Sequence, residues 1–302
     1  MEKNLLSETI KSIAISSNID ILGFAAASEF INYAIPNSQR QNPTFSLPDA
    51  KTIIVAGIYI GGFSLPIWDN PLYGRTSRLY LSEFFLDVVK PLQPIVSLLR
   101  EGGYQTLVCE SSNQESSILP LKLAAIRAGL GWQGKNSLLI SRKFGTFLAL
   151  GGILTDADLP HNISEEPNLC KNCKKCQEAC PSGALEIDYI LAKNQCLSFQ
   201  LQIEGLSIEA REKMENRVGD CEICQQVCPW NSKHLEHPLE TSRTIAFKEQ
   251  IGEWEDLFYL SNLIQLSEKE YEERLGKLNT SIPYKIFHRN VKIAMEHIKT
   301  IF

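Results

Sequence analysis

Eight of the chain's nine cysteines lie between Cys170 and Cys228. They form two groups, Cys170-x2-Cys173-x2-Cys176-x3-Cys180-Pro181 and Cys221-x2-Cys224-x3-Cys228-Pro229, with Cys196 in the interval. The first spacing is the ligand run of bacterial ferredoxins, in which three closely spaced thiolates hold one 4Fe-4S cluster and the fourth reaches a second. A zinc site takes four ligands in two pairs and has no use for a third close cysteine or a Cys-Pro ending. If Cys228 crosses back to complete Cys170, Cys173 and Cys176, then Cys180, Cys196, Cys221 and Cys224 remain as a second set, and all eight are used. Two clusters held in this way relay single electrons. Pro181 and Pro229 turn the chain just past a ligand, and Gly183 relieves crowding beside a cluster. Cys109, which follows Tyr104-Gln105-Thr106-Leu107-Val108, reads instead as a buried structural thiol.

A relay needs an endpoint, and 302 residues exceed what a ferredoxin requires. At about 150 residues per domain the length fits about two domains. Composition is that of a globular chain, 44% hydrophobic and 22% charged, which excludes disorder, collagen and coiled coil. The formal charge of -5 means that nucleic acid would have to be met by a local basic patch. Met1 to Ser28 mixes Glu2, Lys3, Glu8, Lys11 and Asp20 into its apolar positions and so lacks a secretory h-region. Thr52 to Trp68, the most apolar window, is broken by Gly57, Gly61, Gly62 and Pro66 and falls short of the ~20 residues that span a bilayer. The expectation is a cytoplasmic protein with no membrane partner.

The elements that position the chemistry follow from periodicity. Residues 4–17 predict an opening helix, Ile21 to Ala27 a strand, and Thr52 to Tyr59 a central strand rich in β-branched residues. Ser82 to Arg100 repeats apolar residues at helical period up to Gly102-Gly103, Tyr104 to Cys109 predicts a strand, and Pro120 to Ala128 a helix stopped at Gly129. Leu138-Leu139-Ile140 and Phe147-Leu148-Ala149-Leu150 predict a hairpin-like pair. This alternation predicts a three-layer α/β domain, closed by a polar boundary at Pro160 to Asn168. Beyond the cysteines, Glu253 to Gly276 and Ser281 to Phe302 predict helices. The tail is locally basic, with Lys277, Lys285, Arg289, Lys292 and Lys299 against Glu296 alone.

The densest remaining motif is Ala128-Gly129-Leu130-Gly131-Trp132-Gln133-Gly134-Lys135-Asn136-Ser137. Its glycines allow close backbone approach to a ligand, or simply a turn between helix and strand. The register is not that of GxGxxG, and no suitable acid follows. Together with Phe144-Gly145-Thr146, Leu150-Gly151-Gly152-Ile153-Leu154-Thr155-Asp156, both cysteine groups, Trp230-Asn231 and Arg289-Asn290, it makes the chain from about residue 115 onward resemble a known family. That family is the epoxyqueuosine reductases, cobalamin-dependent iron-sulfur enzymes of queuosine biosynthesis in tRNA, with their relatives the reductive dehalogenases.

The resemblance implies an α/β (α+β) fold, with a nitroreductase-like cobalamin-binding domain over 1–165 and a bacterial two-cluster ferredoxin-like domain over 166–235. A C-terminal helical segment, 236–302, would pack on the core. It implies two 4Fe-4S clusters and cobalamin as cofactors, fed by a low-potential donor such as ferredoxin or flavodoxin. Gly129, Gly131, Gly134, Lys135, Asn136 and Ser137 would face the corrin. The family's proton-donating acid, counted back seventeen residues from Trp132, falls on Glu115; the plainer reading is a surface glutamate in a polar loop. Tyr73 and Tyr80, in a segment that departs from the family, are proton donors in one reading and core tyrosines in the other, while Arg75 and Arg78 hold an anion or are surface charges. Lys122, Arg127, Lys135, Arg142 and the basic tail would hold phosphates of a tRNA substrate. A dehalogenase-like reductase of a small molecule, and a corrinoid-binding electron-transfer protein without substrate chemistry, are the alternatives.

Overall fold

Thr52–Tyr59 is buried at every position, which requires cover on both faces and a neighbour on each edge. In the computed structural model, which describes residues 3–31, 38–110, 118–161, 166–276 and 282–299, it is the second of six strands. These are β1 (Ile21–Ala26), β2 (Thr52–Tyr59), β3 (Thr106–Glu110), β4 (Trp132–Gln133), β5 (Leu139–Ile140) and β6 (Leu148–Thr155). Four form a sheet in the order β1-β2-β6-β3, and every pairing is antiparallel. Side chains of a strand alternate between faces, so each face has its own core. Ile53, Val55, Leu150 and Leu154 pack with Leu121, Ala124 and Ala125 of the helix Leu121–Arg127. Ile54, Ala56 and Ile153 pack with Leu6, Ile10 and Ala14 of the helix Lys3–Ser16 and with Ile95 and Leu99 of the helix Gln93–Glu101. The three layers are those expected, and the antiparallel order makes the class α+β.

The chain folds into two compact units that interleave along it. One comprises Met1–Tyr59, Asp87–Gly134 and Leu138–Lys171, the other Ile60–Leu86, Lys135–Ser137 and Asn172–Phe302. The sheet lies in the first; the second is helical, from Arg78–Ser82 to Tyr284–Lys299. Expected divisions at residues 165 and 235 are linear, whereas these units exchange the chain several times. Among the described residues no helix is long and apolar enough to cross a membrane.

Three expected elements differ. The helix over Ser82 to Arg100 is interrupted: Arg78–Ser82 ends, Asp87 Oδ1 accepts from the backbone N–H groups of Val89 and Lys90 at 2.8 and 3.0 Å, and helix resumes at Gln93. Pro91 and Pro94 lack the N–H that a helix interior needs and fit only first turns. The helix over Glu253 to Gly276 is three, Ile251–Phe258, Leu260–Leu263 and Glu268–Arg274, because Tyr259 is extended and Ser267 with Glu270 forms a capping box that starts the last one. The hairpin also divides. Leu139–Ile140 pairs with Trp132–Gln133, Leu148–Thr155 enters the main sheet, and only Ser141 and Gly145 bridge between them.

The β4–β5 ribbon constrains Gly131. It adopts φ +153, and a Cβ there would lie 2.0 Å from the Ile140 carbonyl oxygen. Gly131→Ala is expected to cost at least about 3 kcal/mol. Gly103→Ala, at φ +82 with nothing within 4 Å, is expected to cost about 1 kcal/mol. Urea unfolding of the two variants checks the difference.

Candidate metal centre

The two cysteine groups fold as near copies of one turn. Cys176 lies in the one-turn helix Lys175–Glu178 and Cys224 in Ile223–Gln226. The residues entering these turns match, Lys174 at φ -125, ψ 9 and Glu222 at φ -129, ψ 21. The hydrogen bonds match too: Gln177 N–H donates to the Lys174 carbonyl at 2.9 Å and Gln225 N–H to the Glu222 carbonyl at 2.9 Å. Cys180 N–H and Cys228 N–H each donate to the carbonyl three residues back at 3.2 Å. The two short helices pack against each other. A thiol held this way sits beside a loop of backbone N–H groups, which suits an anionic cluster.

None of the eight cysteines forms a disulfide; Cys228 is buried and the others are half-buried. Burial pushes the Cys224 thiol well above its usual value, and the nearby thiols of Cys221, Cys196, Cys180 and Cys176 add to that. Cys221 and Cys196 are raised by burial as well, and Cys196 also senses Cys180. Cys176, Cys180, Cys196, Cys221 and Cys224 are thus one electrostatic neighbourhood. A buried thiol of this kind becomes a thiolate when a metal takes the charge. Eight cysteines without a disulfide are the donor type and number that two 4Fe-4S clusters take. Cys170 lies one residue before the end of the first unit, and its N–H donates to Asn168 Oδ1 at 2.9 Å.

The segment from Tyr73 to Tyr80 is fastened to the second turn. Glu222, buried between two candidate ligands, accepts from the Arg78 backbone N–H at 2.8 Å, from the Arg78 guanidinium, and from Gln226 Nε2 at 2.9 Å. Arg78 Nε also donates to the Gly61 carbonyl at 3.0 Å. Ser77 Oγ donates to Asp220, and Arg75 exchanges backbone hydrogen bonds with Asn216 and Val218 at 2.8 and 2.9 Å. Burial raises the Glu222 carboxyl, and Arg78 holds it back. Arg78 is therefore a buried structural cation and neither of the two roles expected for it. Arg75 is half-buried and 3.7 Å from Asp69.

Tyr80 is 2% exposed, and burial followed by Tyr271 raises its phenol well above the usual value. The Thr76 hydroxyl has no hydrogen-bond partner among the described residues. Gly219 permits this packing, since a Cβ there would lie 2.9 Å from Thr76 Oγ1 and 3.2 Å from the Tyr80 ring. Tyr73 is half-buried against Tyr259, with ring centroids 5.1 Å apart. Glu115 lies outside the described residues.

The glycine-rich segment is taken up by internal contacts. Gly129, at φ +72, follows the helix Leu121–Arg127, and its N–H donates to the Ile126 carbonyl at 2.9 Å. Gly134 N–H closes a turn on the Leu138 carbonyl at 2.8 Å, and Ser137 adopts φ +60. Lys135 is buried and paired with Asp188 at 3.1 Å, and Asn136 Nδ2 donates to the Cys224 carbonyl at 3.5 Å. Of the nine cations expected to hold phosphate, Lys135 and three arginines have partners within the protein. Arg127 donates to the Ser28 and Glu29 carbonyls at 2.6 and 3.1 Å, Arg142 to Glu166 at 2.6 Å, and Arg289 to the Ile203 and Glu204 carbonyls at 2.7 Å. Lys122, Lys285 and Lys292 are exposed, and Lys277 lies outside the described residues. Asp220 and Glu222, which no spacing rule singled out, flank Cys221; two acids beside a metal ligand were the available sign.

Residues 169–231 match the family model of the 4Fe-4S double cluster binding domain. The epoxyqueuosine reductase of Bacillus cereus is 29% identical over 243 residues, 72% of this chain and 62% of that protein. The enzyme of Escherichia coli is 40% identical over 156 residues, 49% of this chain and 39% of that protein. The structure of epoxyqueuosine reductase from Streptococcus thermophilus matches with a TM-score of 0.78 at 25% identity, over 97% of this chain and 81% of that chain. The chain is similar to the epoxyqueuosine reductases. An epoxyqueuosine reductase crystallised with an epoxyqueuosine-modified tRNA-Tyr stem loop shares the fold at a TM-score of 0.81 and 24% identity, over 99% and 83% of the two chains. A reductive dehalogenase structure described as bearing on B12-dependent dehalogenation shares it at 0.50 and 16%, over 92% and 37%. The chain spans about six-tenths of the length of the first curated epoxyqueuosine reductases it matches. All eight clustered cysteines fall inside the double-cluster match.

Glu222→Gln removes one charge of a buried pair and is expected to destabilise the protein by about 3–5 kcal/mol. Replacing both partners, Arg78→Met with Glu222→Met, is expected to recover most of that loss in the same urea titration. Burial pushes the Cys109 thiol up to about 12, so the folded protein is expected to leave it unalkylated by iodoacetamide at about pH 8. Peptide mass spectrometry should find it modified only after unfolding.

Proposed function

We propose that the chain is a reductase of the epoxyqueuosine type, passing electrons through two 4Fe-4S clusters to cobalamin and reducing the epoxide of a tRNA nucleoside. The observation that carries this reading is the doubled cysteine turn joined to an antiparallel α+β sheet, in a chain aligned over 97% of its length with the Streptococcus thermophilus enzyme. The tRNA substrate is supported by the stem loop bound to a protein of the same fold, and cobalamin by the B12-dependent chemistry of the dehalogenase neighbour.

In this reading Cys170, Cys173, Cys176 and Cys228 hold one cluster and Cys180, Cys196, Cys221 and Cys224 the other. Glu222 and Asp220 fix the second turn through Arg78 and Ser77, so that its thiolates keep their places as charge arrives. Cobalamin, when bound, supplies a cobalt centre that takes up the electrons and acts on the epoxide. Glu115 and Tyr73 are the groups assigned to proton supply, the phenol half-buried against Tyr259. Tyr80, sealed in the aromatic packing, keeps its proton and positions the segment. Asn136 holds the Cys224 carbonyl. Because Lys135 is paired with Asp188 and Asn136 donates to the Cys224 carbonyl, neither side chain is assigned a bond to the corrin.

A second reading, reduction of a small molecule in the dehalogenase manner, is favoured by one observation: Arg127, Lys135 and Arg142 are bonded within the protein instead of forming a phosphate clamp.

Anaerobic reconstitution with iron, sulfide and cobalamin is expected to load about eight irons and one cobalt per chain. The loaded protein should bind an epoxyqueuosine-bearing anticodon stem loop with an affinity that falls as salt rises, and convert it under a chemical reductant. Loaded protein that ignores the stem loop at every salt concentration but turns over a halogenated aromatic would establish the second reading. Loaded protein that reduces neither would leave electron transfer alone.

A further inference from the structure

The two cysteine turns share a backbone but not a setting. In the second, the residues around the ligands read Asp220-Cys221-Glu222-Ile223-Cys224, and Glu222 is buried beneath Arg78. In the first, the corresponding stretch reads Asn172-Cys173-Lys174-Lys175-Cys176, and both lysines are exposed. Beside them lies an apolar surface. Ile187, Ile190 and Leu191 are 64%, 47% and 37% exposed, three of the nine exposed large hydrophobic side chains among the described residues, within five positions. The surface is contiguous with the turn: Gln177 Nε2 donates to the Leu185 carbonyl at 2.9 Å and to Asp188 at 3.0 Å, and Asp188 also feels the charge of Lys174. Lys193, exposed over the Phe199 ring at 4.5 Å, adds a further positive charge along the same stretch. The acids there are Glu178 and Glu186, and Asp188, which is paired with Lys135.

We infer that this surface, Lys174 and Lys175 with Ile187, Ile190 and Leu191, docks an acidic one-electron donor protein at the first cluster turn. The inference rests on the proposed reading of the chain as a two-cluster reductase. An apolar centre bordered by lysines is the pattern of a protein interface whose partner is acidic. On a chain with a formal charge of -5, such a partner is repelled by the molecule as a whole and steered to this basic surface. The second turn, covered by the segment around Arg78, offers no equivalent approach. In each encounter the donor is oxidised by one electron, the oxidised 4Fe-4S cluster of the first turn is reduced by one, and no proton moves.

The test uses the reconstituted full chain, with flavodoxin as the acidic probe. Binding of oxidised flavodoxin is measured by calorimetry across a range of salt, and bleaching of cluster absorbance by reduced flavodoxin is followed by stopped flow. Lys174→Glu with Lys175→Glu is expected to raise the Kd at least tenfold, to flatten its salt dependence, and to slow bleaching in proportion. Dithionite should still bleach the clusters of this variant fully. Ile187→Asn, at an exposed position, is expected to weaken binding without changing the salt dependence. The same charge change elsewhere, Lys285→Glu with Lys292→Glu, should leave Kd within twofold of the unaltered chain. Unaltered flavodoxin affinity in the first variant, or an equal loss in the second pair, with dithionite bleaching intact, would overturn this inference alone. A reconstituted chain whose absorbance dithionite does not bleach would overturn the two-cluster reading, and this one with it.

Discussion

A carboxylate stripped of water is stable only beside a cation, and Glu222 has one in Arg78. Much of the second unit is organised by that requirement. The pair draws residues 75–80 onto the chain between Asn216 and Glu222, adds the Ser77 contact to Asp220, and seals Tyr80 and Thr76 beneath Gly219. Such a pair contributes little net stability compared with a well-packed apolar replacement, because desolvation offsets its attraction. What it contributes is uniqueness, since only one register of the segment puts the guanidinium on the carboxylate. A cysteine turn that must change charge without moving benefits from a fixed neighbour more than from a tight one.

The cysteine turns and the sheet were the most readable parts of the chain, for different reasons. Ligand spacing is a local property, so Cys170 to Cys180 declared its chemistry without help from the fold. Thr52 to Tyr59 was legible because a strand buried on both faces must be apolar throughout. The run from Ser82 to Arg100 misled because its apolar period continues across a break that only Pro91, Pro94 and the Asp87 turn impose. Phe147 to Leu150 looked like half of a hairpin because its true partner, β2, lies far back in the chain.

The candidate site was less legible than its ligands. Glu222 and Arg78 are separated by 144 residues, and no spacing rule reaches that far. The glycines between Gly129 and Gly134 carried an ambiguous pattern: close approach to a ligand and close approach to the chain's own backbone require the same residue. At Gly131 the neighbour is the Ile140 carbonyl. Lys135, which by type suggests an anion site, is instead buried against Asp188.

The interleaving of the two units has a consequence for how the molecule is made. A segment near residue 78 leaves the ribosome long before Glu222 exists, and β2 emerges long before β6. Loops of that length close slowly, because their entropy is lost before their contacts form. The chain therefore carries a half-built sheet until Thr155 has emerged and a waiting arginine until Glu222 follows. The first unit becomes complete once residue 171 has emerged, the second only with the last helix, Tyr284–Lys299, whose Asn290 donates to the Leu201 and Val218 carbonyls. Ordered thiols for iron come at the end of folding, so assembly of the metal centre reports on the whole chain having folded.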